Sequence, residues 1–232
     1  MNTRPLILAI TGASGAIYAI RLLEQLLQQG RCLHLVISES GRAVMRQELG
    51  LQIDLKRFDP WQLTEPHGFD FDSEMGRTVD RWRRSLQELL QEKENRERLI
   101  YHDHRDFMAP IASGSFLTDG MVVCPCSGGS LSAIVNASSS NLIHRAADVQ
   151  LKESRKLILV PRETPLSVIQ LENMKKACQA GAVVLPAAPG WYHGVRSIAD
   201  LADFVAARIL DQLQVPHQLM QRWGEGASLN DE

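Results

Sequence analysis

The feature that most constrains this chain is a repeated alternation of short, continuous apolar runs with longer stretches whose apolar residues recur at helical spacing. "LILAI" near the start, then "MVVC", "LILV" and "AVVL", are the runs. Strands that are apolar throughout, rather than at every second position, belong to parallel sheets buried on both faces. The pattern predicts strands at 5–11, 32–38, 120–124, 156–161 and 182–187, and helices at 15–29, 40–49, 129–137, 145–151, 165–180 and 197–213. Strands alternating with helices call for βαβ units. The expected fold class is therefore α/β, a three-layer sandwich with a central parallel sheet. The first helix shows Ile17, Ile20, Leu23 and Leu27 on one face, and the last shows Ile198, Leu201, Phe204, Val205, Ile209 and Leu213.

Residues 60–106 break the rhythm. Turn signals stand at Pro60, Pro66, Gly68 and Gly76, and a mixed-charge helix is expected from about Thr78 to Arg98. Its stripe of Val79, Trp82, Leu86 and Leu89 reads as the docking face of a solvated helix. The 232 residues thus read as one domain, 1–232, with a charged helical insert at about 60–98. With 25 basic against 27 acidic residues, the chain has no field that would recruit nucleic acid or an anionic membrane. No apolar run approaches the roughly 20 residues of a bilayer span. Four scattered cysteines and no secretory leader point to the cytoplasm.

In an open parallel sheet a ligand sits beyond the carboxyl ends of the strands, near the point where strand order reverses. Thr11-Gly12-Ala13-Ser14-Gly15 follows the first strand, Ser38 the second, Cys124 through Ser130 the third, Pro161-Arg162-Glu163 the fourth and Pro186 through Tyr192 the fifth. Small residues let a ligand approach the backbone, and hydroxyls beside free amides at a helix start bind anions. Ser14 reads as an N-cap, and Ser127 and Ser130 flank Gly128 and Gly129 in a second such loop. Two loops of this kind on one sheet edge suggest a phosphorylated ligand, although neither a full G-x-G-x-x-G nor a P-loop is present. Arg145, Lys152, Arg162 and Arg208 stand in or beside apolar segments and, with Tyr192, could hold a second phosphate. Glu48 and Glu163 flank the same strand ends; either could shuttle a proton or pair with an arginine. His102 and His104 lack a third ligand, so no metal site is expected. Cys124 and Cys126 lack the C-x-x-C spacing and read as buried thiols.

The segments "TGASGAIYAIRLL", "CPCSGGSLSAIVNASSSNLIHRAADVQLKESRKLILVPRETPL", "LENMKKACQAGAVVLPAAPGWYH" and "DFVAARILDQL" together resemble the flavin prenyltransferases of the UbiX type. The match covers roughly 5–50 and 107–224 and leaves out the charged insert. The resemblance implies a Rossmann-like (flavodoxin-like) fold, reduced FMN as acceptor, and metal-independent transfer of a dimethylallyl group from dimethylallyl phosphate to flavin N5, with ring closure at C6. It further implies that the prenylated FMN serves UbiD-type decarboxylases and that the protein forms a homododecamer. By the same resemblance Gly12, Ala13, Ser14, Ser38, Ser127, Gly128, Gly129, Ser130 and Arg162 look like FMN contacts. Tyr192 and Arg208, with Ser113, Arg145 and Lys152, match the dimethylallyl phosphate pocket, and Trp223 a closing aromatic. Ser14, Glu48 and Glu163 match catalytic positions, Ser14 and Glu163 being tied to proton handling. Phe107 departs from the indole sometimes found there. The nearest rival is an FMN-dependent cysteine decarboxylase of the phosphopantothenoylcysteine type, from which a PASANT-like loop would be expected where this chain has "CPCSGGSLS".

Overall fold

A computed structural model describes residues 4–222. Six strands, β1 (Leu6–Ile10), β2 (Leu33–Ile37), β3 (Leu99–Asp103), β4 (Gly120–Cys126), β5 (Leu157–Pro161) and β6 (Val183–Val184), form one sheet in the order β3-β2-β1-β4-β5-β6. Every pairing is parallel. Leu6 stands level with Leu33 on one side and Gly120 on the other, and Ile10 with Ile37. Strands β1, β2, β4 and β5 are buried at every position, the physical basis of the continuous apolar runs of β1, β4 and β5; β2 carries one buried polar residue, His34.

Helices cover both faces. Leu8, Ile10, Leu35 and Val122 point toward α1 (Ala16–Gln28), α2 (Glu39–Leu49), α3 (Glu74–Gln91) and α8 (Ile198–Leu213). Ile7, Ala9, Val123 and Leu159 point toward α5 (Gly128–Val135), α6 (Leu142–Lys152) and α7 (Val168–Gln179). This is the Rossmann-like, flavodoxin-like three-layer sandwich with a central parallel sheet. Helix α6 starts three residues before its expected position because Asn141 caps it, its Oδ1 accepting the His144 amide at 3.0 Å. Helix α7 starts late, at Val168, where Ser167 and Gln170 form a capping box.

The stretch that breaks the rhythm, 60–106, holds more than the helical insert expected at about 60–98. It also supplies β3, which the sequence reading left out. As an edge strand, β3 has one exposed and three half-buried positions after Leu99 and so lacks a continuous apolar run. Counted without it, the remaining strands follow the 2-1-3-4-5 order of flavodoxin-like sheets; with it they follow 3-2-1-4-5-6. Either way the order reverses between β1 and β4. Helix α3 buries Val79, Trp82, Leu86 and Leu90, while Leu89 is only partly covered. A separate short helix, α4 (Lys93–Arg98), follows it. Trp82 packs beneath the Arg21 guanidinium at 5.1 Å. Arg21 in turn donates to Asp203 of α8 at 2.5 Å and to Glu24, which also accepts from Ser85 of α3 at 2.5 Å. One polar knot thus ties α1, α3 and α8. Among the described residues no helix is long and apolar enough to cross a membrane.

Candidate active site

The loops after β1 and β4 meet at the reversal. Thr11, almost fully buried, donates its hydroxyl to the Pro125 carbonyl at 2.8 Å and accepts the Ser127 amide at 2.8 Å. This latch sets the Gly12–Ser14 and Ser127–Ser130 loops side by side. Ser127 caps α5, its Oγ accepting the Ser130 amide at 3.2 Å and donating to the Ser130 hydroxyl at 3.0 Å. Above Gly129 there is open space, so a group can lie directly on the backbone.

Ser38, after β2, caps α2 through the Gly41 amide at 3.0 Å and lies 3.2 Å from the Ser40 hydroxyl. A Cβ on Gly12 would fall 2.5 Å from Ser40, so only glycine lets the first loop lie flat on the start of α2. Two hydroxyls beside first-turn amides that have no acceptor within the helix suit an anion. The sequence reading named Ser38 and missed Ser40, whose only signal was its place two residues on in the same first turn.

The start of α1 differs from expectation. Ser14 is not its cap. Gly15 holds that position at φ 114°, with no side-chain cap bond. The Glu48 carboxylate performs the task instead, accepting the Gly15 amide at 2.9 Å and the Ala16 amide at 2.9 Å. The amides that an anionic ligand would use in a dinucleotide fold are therefore already taken by an internal anion. Arg162, after β5, donates through Nε to the Ser14 carbonyl at 3.3 Å and so joins the first loop. Ser14, Gly15, Ile17, Tyr18, Glu48, Met75 and Arg162 line an open pocket of about 380 Å³. Tyr18 carried no sequence signal beyond its place on the first helix, and Met75 carried none, since α3 starts at Glu74, ahead of the Thr78 start expected; burial, foremost, raises the Tyr18 phenol above its ordinary range.

Glu163 turns toward the second loop. Its carboxylate accepts the Thr164 amide at 3.2 Å and the Gln170 side-chain amide at 3.2 Å. Gln170 also stands 3.3 Å from where a Cβ on Gly128 would lie. Gly12, Ala13, Ser14, Ser38, Glu48, Ser127 through Ser130, Arg162 and Glu163 are thus gathered at the carboxyl edge of β1, β2, β4 and β5.

The residues expected around a second phosphate are divided within one chain. Tyr192 follows β6 and packs edge-on against Phe204 of α8, ring centroids 5.8 Å apart. Arg208, lower on α8, pairs with Asp211 at 2.9 Å. Arg145 donates to the Ala112 carbonyl at 3.0 Å, beside Ser113, and pairs with Asp148 at 3.0 Å. Lys152, the last residue of α6, pairs with Glu153 at 2.9 Å. Helix α6 and helix α8 cover opposite faces of the sheet, so Ser113, Arg145 and Lys152 form a group apart from Arg208. Trp223 lies outside the described residues.

Cys124 and Cys126 are fully buried, and burial pushes the Cys126 thiol up to about 12. His102 stacks on His34, with Nε2 2.7 Å from His34 Nδ1, and burial lowers both rings' affinity for a proton. Among the described residues no three His, Cys, Asp or Glu side chains are placed to share a metal ion.

Comparison with known proteins finds relatives over nearly the whole chain. Residues 1–210 match the Flavoprotein family. The flavin prenyltransferase UbiX of Pseudomonas aeruginosa is 43% identical over 227 residues, 97% of this chain and 96% of that protein. Among solved structures, AnUbiX (PadA1) in complex with FMN and dimethylallyl pyrophosphate is similar at TM-score 0.74 and 34% identity, covering 96% of this chain and 98% of that one. A dodecameric FMN-dependent UbiX-like decarboxylase from Escherichia coli O157:H7 is similar at TM-score 0.70 and 34% identity, covering 92% and 96%. A PPC decarboxylase, of the rival class, shares the fold alone, at 13% identity and TM-score 0.52. The chain belongs to the flavoprotein family and, within it, to the UbiX-type flavin prenyltransferases.

Proposed function

We propose that this chain is a flavin prenyltransferase of the cytoplasm that joins the dimethylallyl group of dimethylallyl phosphate to N5 and C6 of reduced FMN. Its product, prenylated FMN, passes to a UbiD-type decarboxylase. The observation that carries the reading is the convergence, at one switch point, of two serine-capped helix starts with Arg162 and an amide-held Glu48. The residues present fit a flavin mononucleotide: the start of α2 with Ser38 and Ser40 suits its single phosphate, and the bare backbone at Gly12 and Gly129 suits close approach of its remainder. When bound in its reduced form, FMN supplies the nucleophilic nitrogen and carbon.

The chain's own residues do the rest. Ser14 and Glu163 handle protons at the reacting centre. Glu48 holds the α1 start in place and keeps a negative charge beside it. Tyr192, Arg208, Ser113, Arg145 and Lys152 gather the charge that develops as phosphate departs. Since one chain carries these groups on opposite faces of its sheet, the pocket is completed between copies, in a homododecamer like that of the Escherichia coli neighbour. Trp223 closes it. All four cysteines are free, in keeping with a reducing compartment.

The test is anaerobic. Purified protein is mixed with reduced FMN and dimethylallyl phosphate, and the released flavin is weighed by mass spectrometry. A gain of one C5H8 unit with liberated phosphate is expected; unmodified FMN from folded, flavin-bound protein would refute the reading.

A further inference from the structure

The stretch at 60–98, which carries none of the residues matched by resemblance, nevertheless reaches the site. Ser73 caps α3 by accepting the Gly76 amide at 2.9 Å. Gly76 has no room for a side chain, since a Cβ there would run into the Asp70 carbonyl. Glu74, in the same turn, accepts the Ile198 amide at the start of α8 at 3.1 Å. The first turn of α3 is thus fixed between the 70–73 turn and α8, and its Met75 forms part of the pocket wall shared with Ser14, Glu48 and Arg162. The other apolar wall is α1: Ile17, and Tyr18, whose ring lies so close to Gly15 that a Cβ there would fall 2.8 Å from it.

The reaction makes such a wall consequential. As the C–O bond of dimethylallyl phosphate breaks, the electron pair leaves with phosphate and the C5 group becomes electron-poor. A water molecule at that point bonds to the carbon through its oxygen and loses a proton, so that dimethylallyl phosphate and water give prenol and phosphate. An unbranched, polarisable, apolar side chain offers water no hydrogen bond and fits an irregular gap. We propose that Met75 is a specificity-determining residue, the wall that directs the C5 group to the flavin rather than to water, so that α3 is part of the active site. This rests on the prenyl-transfer reading above.

The test uses the full chain loaded with FMN and two substitutions. Met75→Gln keeps side-chain length and helix propensity but adds hydrogen-bonding groups; Met75→Leu keeps the wall apolar. Two quantities are read: acrylamide quenching of bound FMN fluorescence, which needs no turnover, and the ratio of prenol to prenylated flavin under anaerobic turnover. For Met75→Gln we expect stronger quenching and a prenol ratio raised about tenfold, the change given by about 1.4 kcal/mol between competing barriers. Met75→Leu is expected to match the parent in both. Unchanged quenching and ratio in Met75→Gln would overturn the proposal, and so would equal losses in Met75→Gln and Met75→Leu. If Met75→Gln does not fold, Met75→Ala is read by the same criteria. A parent protein that yields neither prenol nor prenylated flavin would refute prenyl transfer itself, while the quenching comparison would still decide whether Met75 walls the pocket.

Discussion

Removal of the Glu48 carboxylate should destabilise the protein far more than removal of the Ser14 hydroxyl, although a local reading of the sequence puts the helix cap on Ser14. Glu48 accepts the Gly15 and Ala16 amides, each at 2.9 Å, and both residues are buried. In Glu48→Ala the two donors lose a charged acceptor. An unsatisfied buried donor costs about 1–3 kcal/mol, and a negative charge at a helix start contributes about 0.3–1 kcal/mol. Because the pocket beside Glu48 is open, water can reach part of the vacated position, so the lower part of that range applies, about 2–3 kcal/mol. Glu48→Gln retains one acceptor oxygen and loses only the charge, for about 1 kcal/mol. Ser14→Ala removes no cap bond and should fall within about 0.5 kcal/mol of the parent. The assay is urea unfolding of the flavin-free protein at neutral pH, followed by far-ultraviolet circular dichroism, with midpoints compared at constant slope. Equal stability of Glu48→Ala and the parent, or a larger loss in Ser14→Ala, would refute the assignment of the cap.

Arg21→Met should cost about 3–5 kcal/mol, since it leaves Glu24 and Asp203 buried without their cation. Burial already raises the Asp203 carboxyl above its ordinary range against the pull of Arg21, so without Arg21 the native state takes up a proton more readily. A raised carboxyl makes stability fall as pH rises above about 4, so the deficit of Arg21→Met should shrink on acidification from pH 7 toward pH 5; a deficit constant over that interval would contradict the account. Thr11→Val breaks the latch between the two loops, and we expect a loss of about 1–3 kcal/mol in urea unfolding together with weaker FMN binding by fluorescence titration. Arg162→Ala should weaken FMN binding, whereas Arg145→Ala and Lys152→Ala should raise the KM for dimethylallyl phosphate and leave FMN affinity unchanged; a parallel loss of FMN affinity in all three would refute the division of the site.

Strands β1, β4 and β5 were legible because burial on both faces leaves no charged or strongly polar side chain to interrupt them, and β2 was legible although one buried polar residue, His34, stands within it. Strand β3 was not, because its outward positions, such as Ile100, and its half-buried histidine and tyrosine blur the period. The strand-end loops were legible as anion-binding elements from their small residues and hydroxyls. The Glu48 cap was not, since it joins positions 33 apart in the chain through tertiary packing. A local hint exists in the glycine after Ser14, where a left-handed residue at the helix start prevents the serine from serving as cap. The separation of Arg145 and Lys152 from Arg208 is not written in spacing either. It follows from which face each crossover helix covers, and that depends on strand order and the right-handed rule.

The carboxylate at the start of α1 also bears on which nucleotides the fold can admit. A dinucleotide carries a pyrophosphate, and sheets of this strand order commonly receive it on the amides that open the first helix. Here those amides answer to Glu48, so a second phosphate brought to that position would meet a fixed negative charge and find its donors occupied. Ligands are told apart by what the protein repels as well as by what it attracts. A single phosphate at the start of α2 avoids this conflict; a flavin bearing an adenylate extension toward α1 does not.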